Sequence, residues 1–120
     1  MKHKLIFIGN SIVAGYPWSK GKSFVGVLRK TLKGEGPLPQ PDLAKSTGFD
    51  VINKGENGDT TVGIMSRFRE DVLDHDPDVV FVLTGTNDFI YRDSTPEEAF
   101  ANLEIMAEQI QLDVWGLNLL

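Results

Sequence analysis

The sequence predicts an α/β domain in which a mainly parallel sheet of three to four strands lies between two helical layers. Three short segments, 4–9, 49–53 and 78–85, are rich in the β-branched and aromatic residues that suit buried strands. Segments with helical periodicity separate them, and this alternation is typical of βαβ units with parallel strands. The chain has 120 residues, so we expect one domain over 1–120 with its own core.

The composition argues against several classes of function. A net charge of -5, with scattered lysines and arginines, argues against nucleic acid as a partner. The chain has no cysteine, which removes disulfides, thiolate metal sites and cysteine nucleophiles. The apolar run near the N-terminus covers only 5–8, which is too short for a signal peptide or a membrane span. We therefore expect a cytoplasmic protein that needs no cofactor and no metal.

The end of the first strand is the most informative point of the sequence. Leu5 to Ile8 form a continuous apolar run, as expected for a strand that is covered on both faces. Gly9 then permits a sharp turn, which puts Ser11 at the carboxyl end of this strand. Because ligands bind at that end of the strands in open α/β sheets, the Ser11 hydroxyl is a candidate nucleophile.

The first helix is predicted over 23–33, with Gly34 placed to end it. Its apolar stripe consists of Phe24, Val27, Leu28 and Leu32. The segment 36–48 contains three prolines, which exclude a helix interior and a central strand, so we expect a loop there.

A second helix is predicted to begin near Thr60, with Asp59 as its cap. The residues expected to face its core side are Val62, Met65, Phe68, Val72 and Leu73.

The last helix has the clearest start signal, because Thr95, Pro96 and Glu98 fit a capping box with proline at the first helical position. Its expected stripe against the sheet consists of Phe100, Leu103, Ala107 and Ile110. The tail 113–120 fits either a fourth strand or a frayed end.

Two further loops offer hydrogen-bond donors to Ser11. A serine nucleophile needs a base, and acyl transfer also needs donors for the oxyanion of the tetrahedral intermediate. The second strand leads to Gly58, whose backbone N–H is a candidate donor at a helix entrance. The third strand leads to Asn87, whose side chain carries an amide donor.

These segments together resemble a known family. Phe7-Ile8-Gly9-Asn10-Ser11, Gly58 within Asn-x-Gly-x-x-Gly-Asp-Thr, and Gly85-Thr86-Asn87-Asp88 resemble, in order and spacing, the first three blocks of the SGNH, or GDSL-type, esterases and lipases. The resemblance implies a three-layer flavodoxin-like fold. It also implies that Ser11 is the nucleophile, and that the N–H groups of Ser11 and Gly58 and the Asn87 side chain form the oxyanion hole.

The implied activity is hydrolysis of an ester through an acyl-serine intermediate. Lipids, carbohydrate acetyl groups, thioesters and small aryl esters all fit as substrates. We expect Asn10, Tyr16, Trp18 and Thr86 to contact the substrate, although Trp18 equally fits packing on the first helix. Asn10 stands where the family usually has aspartate, and it keeps that side chain's size and acceptor oxygen.

The family's last block, Asp-x-x-His, has no counterpart after Asn87. His3 is at the start of the first predicted strand, so at about 3.3 Å per residue it is expected more than about 20 Å from Ser11. His75, the second histidine, ends a predicted helix that leads into the start of the third strand. We therefore expect an SGNH-like domain truncated at its C-terminus, with little turnover of its own. The alternative is a non-catalytic flavodoxin-like binding module. Unless the tail supplies a fourth strand, the exposed edge of the third strand also predicts a homo-oligomer that covers it.

Overall fold

A computed structural model describes residues 2–92 and 94–116. Three strands form one parallel sheet in the order β2-β1-β3. Their bounds are Lys2–Gly9 for β1, Gly48–Gly55 for β2 and Val79–Leu83 for β3. Leu5 of the central strand pairs with Val51 on one side and with Val79 on the other. The α/β class and the parallel sheet predicted from the sequence are confirmed.

Helices cover both faces of this sheet. The six helices described are α1 (Ser11–Ala14), α2 (Phe24–Lys33), α3 (Asp42–Ser46), α4 (Thr61–Asp71), α5 (Thr86–Ile90) and α6 (Pro96–Gln109). Short 3₁₀ turns lie at Lys20–Lys22 and Leu73–His75, and a π-helical turn over Ile110–Val114 extends α6. Among the residues described, no helix is long and apolar enough to cross a membrane.

The core lies on both sides of β1, because successive side chains of a strand point to opposite faces. On one face, Ile6 and Ile8 pack with a cluster from α4, α6 and the turns that follow them, namely Ile64, Phe68, Val72, Leu73, Met106 and Ile110. On the other face, Phe7 packs with Val51, Val13 and Val25. The central strand is therefore buried on both sides, as its continuous apolar run predicts.

Two predicted helix boundaries are confirmed by their caps. Ser23 Oγ accepts a hydrogen bond from Gly26 N at 3.0 Å and starts α2, and Gly34 ends it at φ +73°. Thr95 and Glu98 form the predicted capping box of α6, in which each side chain accepts a hydrogen bond from the other residue's backbone N–H.

Two predictions about local structure are wrong. The segment 36–48 is not entirely a loop, since α3 occupies Asp42–Ser46 directly after Pro41. Proline disrupts a helix interior but is compatible with a helix start, so the three prolines do not exclude a short helix that begins directly after Pro41. The cap of α4 is Thr60, whose hydroxyl accepts from Gly63 N at 3.2 Å, and not Asp59. The Asp59 carboxylate instead binds Arg67.

The predicted rotation of three helices is also wrong in part. Five residues expected on core faces are exposed, namely Phe24, Val27, Val62, Phe100 and Ala107. In its first turns α4 buries Thr61 and Ile64, where Val62 and Met65 were predicted, whereas Phe68 is buried as predicted. Burial of Thr61 against Asp88 sets this rotation, and a polar contact of that kind has no signature in hydrophobic periodicity.

The tail follows neither predicted course over the part that can be described. Residues 110–114 continue α6 as a π turn, and the Trp115 indole Nε1–H donates to Pro77 O at 2.9 Å. The part of the prediction that concerns 117–120 lies outside the described residues. Within the described ranges β3 is an edge strand, and its side chains Val79, Phe81 and Leu83 are 40%, 46% and 45% exposed.

Candidate active site

The loops that follow the three strands meet at one edge of the sheet. They border a cleft of about 230 Å³. Its lining consists of Ser11, Tyr16, Asn57, Gly58, Asn87 and Tyr91. The structure therefore brings together the three residues that the sequence nominates for catalysis, Ser11, Gly58 and Asn87.

Close packing of β1 against β3 sets the turn that carries Ser11. Asn10 N donates to Leu83 O at 3.4 Å, and a Cβ atom on Gly9 would collide with that same carbonyl oxygen. Asn10 Oδ1 accepts from Ile12 N at 3.1 Å, which caps α1 and leaves Ser11 as its first residue. Asn10 is buried beneath the turn, so the structure places it as a helix cap and not in the cleft wall.

Gly58 and Asn87 belong to loops that are joined to each other. Gly58 has φ +77°, in the left-handed region that favours glycine, and the Tyr91 hydroxyl lies 3.9 Å from the position of a Cβ built there. Asn87 Nδ2 donates to Asp59 O at 2.9 Å, one residue after Gly58. A side-chain amide carries two donor hydrogens, so one N–H of Asn87 holds the loop and the other is available to a ligand.

The other residues expected to contact substrate lie in different places. Tyr16 lines the Ser11 cleft and is largely exposed. Trp18 lines a separate polar cleft of about 520 Å³, with its ring centroid 5.8 Å from Lys22 Nζ, and it is exposed. Thr86 is the exposed first residue of α5 and is not part of the Ser11 cleft lining.

Both histidines lie at the opposite edge of the sheet. The His3 ring packs at 5.7 Å from the Phe49 ring near the amino end of β1. His75 lies in the turn before β3, where its carbonyl oxygen accepts from Lys4 Nζ at 2.6 Å. Ser11 follows the carboxyl end of β1, so neither imidazole reaches its hydroxyl.

Asp88 is a buried carboxylate that the sequence analysis did not identify as a site residue. Its side chain accepts from Thr61 N at 2.9 Å, from Thr61 Oγ1 at 2.5 Å and from Ser94 Oγ at 2.9 Å. A buried carboxylate with three donors is compensated for its lost hydration. Asp88 therefore fastens α5, which carries Asn87, to the start of α4. Its only sequence signal was its position after Asn87.

Arg67 is the second polar residue that the sequence analysis missed. Its guanidinium forms ion pairs with Asp59 at 2.7 Å and with Asp71 at 2.8 Å. Burial lowers the pKa of Arg67, but the hydrogen bonds to Asp71 and Asp59 outweigh this effect, and the pKa is raised. A raised folded-state pKa gives stability that is lost only when the pH rises through that pKa, so Arg67 stays charged near neutrality.

Comparison with known proteins identifies relatives over most of the chain. Residues 7–116 match the family model of the GDSL-like lipase/acylhydrolase family. An arylesterase from Vibrio mimicus is 32% identical over 110 residues, which cover 90% of this chain and 48% of the relative. An acetylxylan esterase from Geobacillus stearothermophilus is 34% identical over 90 residues, covering 71% of this chain and 39% of the relative.

A solved structure of an esterase resembles this chain over most of its length. The crystal structure of AlinE4, an SGNH-hydrolase family esterase, superposes with a TM-score of 0.71 and 30% sequence identity. The superposition covers 92% of this chain and 54% of AlinE4. This chain spans about half the length of the relatives or less. Because the family model matches almost the whole chain, the chain belongs to the GDSL-like lipase/acylhydrolase family, whose flavodoxin-like fold it shares.

Proposed function

We propose that this chain carries the nucleophile and the oxyanion hole of a serine ester hydrolase. The observation that carries the proposal is that one cleft of about 230 Å³ is lined by residues from three separate loops, Ser11, Gly58 and Asn87. Acyl transfer needs a hydroxyl and N–H donors at one point, and the shared lining of Ser11, Gly58 and Asn87 supports such an arrangement. The esterase names of the relatives support the same class of reaction.

In the proposed reaction, Ser11 Oγ attacks the carbonyl carbon of the ester and gives its proton to a base. The N–H groups of Ser11 and Gly58 and the free N–H of Asn87 stabilise the oxyanion that forms. Collapse of this intermediate breaks the carbon–oxygen bond to the alcohol, which leaves with a proton, and an acyl-serine remains. Water then attacks the acyl carbon, releases the carboxylic acid and regenerates the Ser11 hydroxyl.

The base in this reaction is neither of the two histidines in the sequence, because both lie at the opposite edge of the sheet. A serine hydroxyl without a base is a weak nucleophile, although oxyanion stabilisation alone leaves some catalysis. We therefore propose that the 120-residue chain hydrolyses esters slowly by itself, and that a small base such as imidazole accelerates it.

The cleft also limits the proposed substrate. Tyr16 and Tyr91 both line the cleft of about 230 Å³ and are exposed, so they offer aromatic contacts to a small group. We propose esters with a short acyl chain as substrates. The name of the Vibrio mimicus arylesterase supports small aromatic leaving groups.

We also propose that two copies of the chain pair through β3. A two-fold axis at Phe81, the middle residue of β3, would align the two strands antiparallel and place Val79 of one copy opposite Leu83 of the other. Every pair in this arrangement is apolar, since β3 consists of Val79-Val80-Phe81-Val82-Leu83. A second copy therefore covers an edge of exposed apolar side chains without burying a charge.

Covalent labelling tests the proposed nucleophile. A fluorophosphonate forms a bond from phosphorus to Ser11 Oγ and releases fluoride. With imidazole present, we expect one phosphonyl group per chain on the peptide that contains Ser11, and none on Ser11→Ala. Ser66→Ala, which removes an exposed hydroxyl on α4, should label like the unmodified chain. Absence of the label at Ser11 would overturn the proposal in favour of a binding module.

A further inference from the structure

The Arg67 side chain reaches from α4 into the carboxyl edge of the sheet. Its Nε and Nη2 atoms lie 2.9 Å and 2.7 Å from Asp59 Oδ2, and Nη1 donates to Lys54 O at 2.9 Å. Nη1 also lies 2.8 Å from Asp71 Oδ2, and Nη2 lies 3.4 Å from Gly9 O. The side chain is 17% exposed. One guanidinium thus joins the ends of β1 and β2 to the loop between β2 and α4.

Asp59 links Arg67 to the residues proposed for the oxyanion hole. It directly follows Gly58, and its backbone oxygen accepts the hydrogen bond from Asn87 Nδ2 at 2.9 Å. Its Oδ1 accepts from Thr60 N at 2.9 Å, while Oδ2 is held by Arg67. A Cβ atom on Gly63 would collide with this carboxylate, so the chain leaves room for it.

We propose that Arg67 and Asp59 form a tether that positions the two oxyanion donors, Gly58 and Asn87. This inference rests on the proposed function and adds positioning residues that do not touch the substrate. When the tether is cut, the loop that carries Gly58 and receives the Asn87 amide loses its fixed point. A misplacement of about 1 Å in a catalytic group can cost about 100-fold in rate, so the effect on catalysis is large.

The tether acts by geometry and not by charge at the site. Asp59 and Asp71 pair with the guanidinium, so Arg67 adds little net positive potential to the cleft. Arginine presents several donors in a rigid planar fork, and lysine presents one compact ammonium group. Lysine at position 67 therefore preserves one of the contacts and restores part of the positioning.

The test compares Arg67→Met and Arg67→Lys with Arg69→Met in the full 120-residue chain. Arg69 is a matched control because it lies on the same helix and also pairs with two carboxylates, Asp113 at 3.1 Å and Asp74 at 3.8 Å. Turnover of p-nitrophenyl acetate is measured with imidazole, and the rate of Ser11→Ala is subtracted. Two-dimensional NMR follows the Gly58 amide and the Asn87 side-chain amide.

For Arg67→Met we expect kcat to fall about 10- to 100-fold with KM changed less than about twofold, since a transition-state contact is lost. Both NMR signals should shift. Arg67→Lys should recover part of kcat, and Arg69→Met should change neither readout. The proposal is overturned if Arg67→Met affects kcat no more than Arg69→Met, or if both amide signals stay in place.

Two provisions keep the test decisive. If Arg67→Met does not fold, Asp59→Asn is measured instead, because this variant keeps the backbone oxygen and the side-chain size while removing the ion pair. The same fall in kcat and the same shifts of the two NMR signals are expected. If the unmodified chain shows no Ser11-dependent turnover, the proposed function fails, and the NMR signals alone then judge the tether. Shifted Gly58 and Asn87 signals support it, and unshifted signals overturn it.

Discussion

In the proposed site the Asn87 side chain has two tasks. One amide N–H holds Asp59 O at 2.9 Å, and the other is assigned to the oxyanion. Removal of a single oxyanion-hole donor typically costs about 100- to 1,000-fold in kcat. For Asn87→Ala we therefore expect a loss of that order in the imidazole-dependent hydrolysis of p-nitrophenyl acetate that depends on Ser11.

Gln40→Ala is the control for this variant. The Gln40 amide also donates to a backbone oxygen, that of Leu32 at 2.8 Å, but it belongs to the segment after α2 and does not line the Ser11 cleft. It should leave the Ser11-dependent rate unchanged. Equal losses in both variants would mean that the rate reports general loosening of the fold and not the oxyanion donor.

Single residues differ in how well the sequence predicts them. Ser11, Gly58 and Asn87 each follow a strand-like segment, and parallel strands bring such positions to one edge, so their convergence on one cleft was predictable. Asp88 and Arg67 were not predictable as site residues. Their roles depend on partners such as Thr61 and Asp59, which only the tertiary packing brings into contact.

The capping box of α6 is the element whose sequence signal and structure agree most closely. Thr95 Oγ1 accepts from Glu98 N at 3.2 Å. Replacing an N-cap threonine by alanine costs roughly 1 kcal/mol. For Thr95→Ala we expect the free energy of unfolding, measured by urea denaturation, to fall by about that amount. Thr95→Ser keeps the hydroxyl and should change it far less; an equal loss would contradict the role of the cap.

Helix rotation is where prediction at the level of elements fails. Periodicity located α4 and α6, but it assigned Val62 and Phe100 to the core, and both are exposed. In α4 the buried face begins with Thr61, which is polar and is held by Asp88. Hydrophobic periodicity gives no weight to a polar residue that is buried by hydrogen bonds, so it assigns Val62 to the core in place of Thr61.

Within the described residues the sheet has two edge strands, β2 and β3, and only β3 carries exposed large apolar side chains. Pairing of two copies through this edge predicts concentration-dependent dimers in sedimentation velocity. Val79→Lys should shift the equilibrium to the monomer, because lysine on an edge strand opposes edge-to-edge pairing. Val27→Lys is the control, since Val27 is 43% exposed and Val79 is 40% exposed. A chain that stays monomeric across a wide concentration range would contradict the proposed dimer.

The overall architecture was predictable because strands and helices alternate along the sequence. Which side chains lie near Ser11 depends on tertiary packing, and no local sequence pattern reveals it. The fold holds His3 and His75 at one edge of the sheet and Ser11 at the other. That separation underlies the central claim that we propose, namely that Ser11 is a nucleophile with oxyanion donors and that neither histidine of this sequence is its base.

The most direct test measures p-nitrophenyl acetate hydrolysis by the unmodified chain and by Ser11→Ala over a range of imidazole concentrations. The difference between the two rates removes the hydrolysis that imidazole catalyses in solution. We predict a small difference without imidazole that rises as imidazole is added, because the added base takes the Ser11 proton. Equal rates at every imidazole concentration would contradict the account.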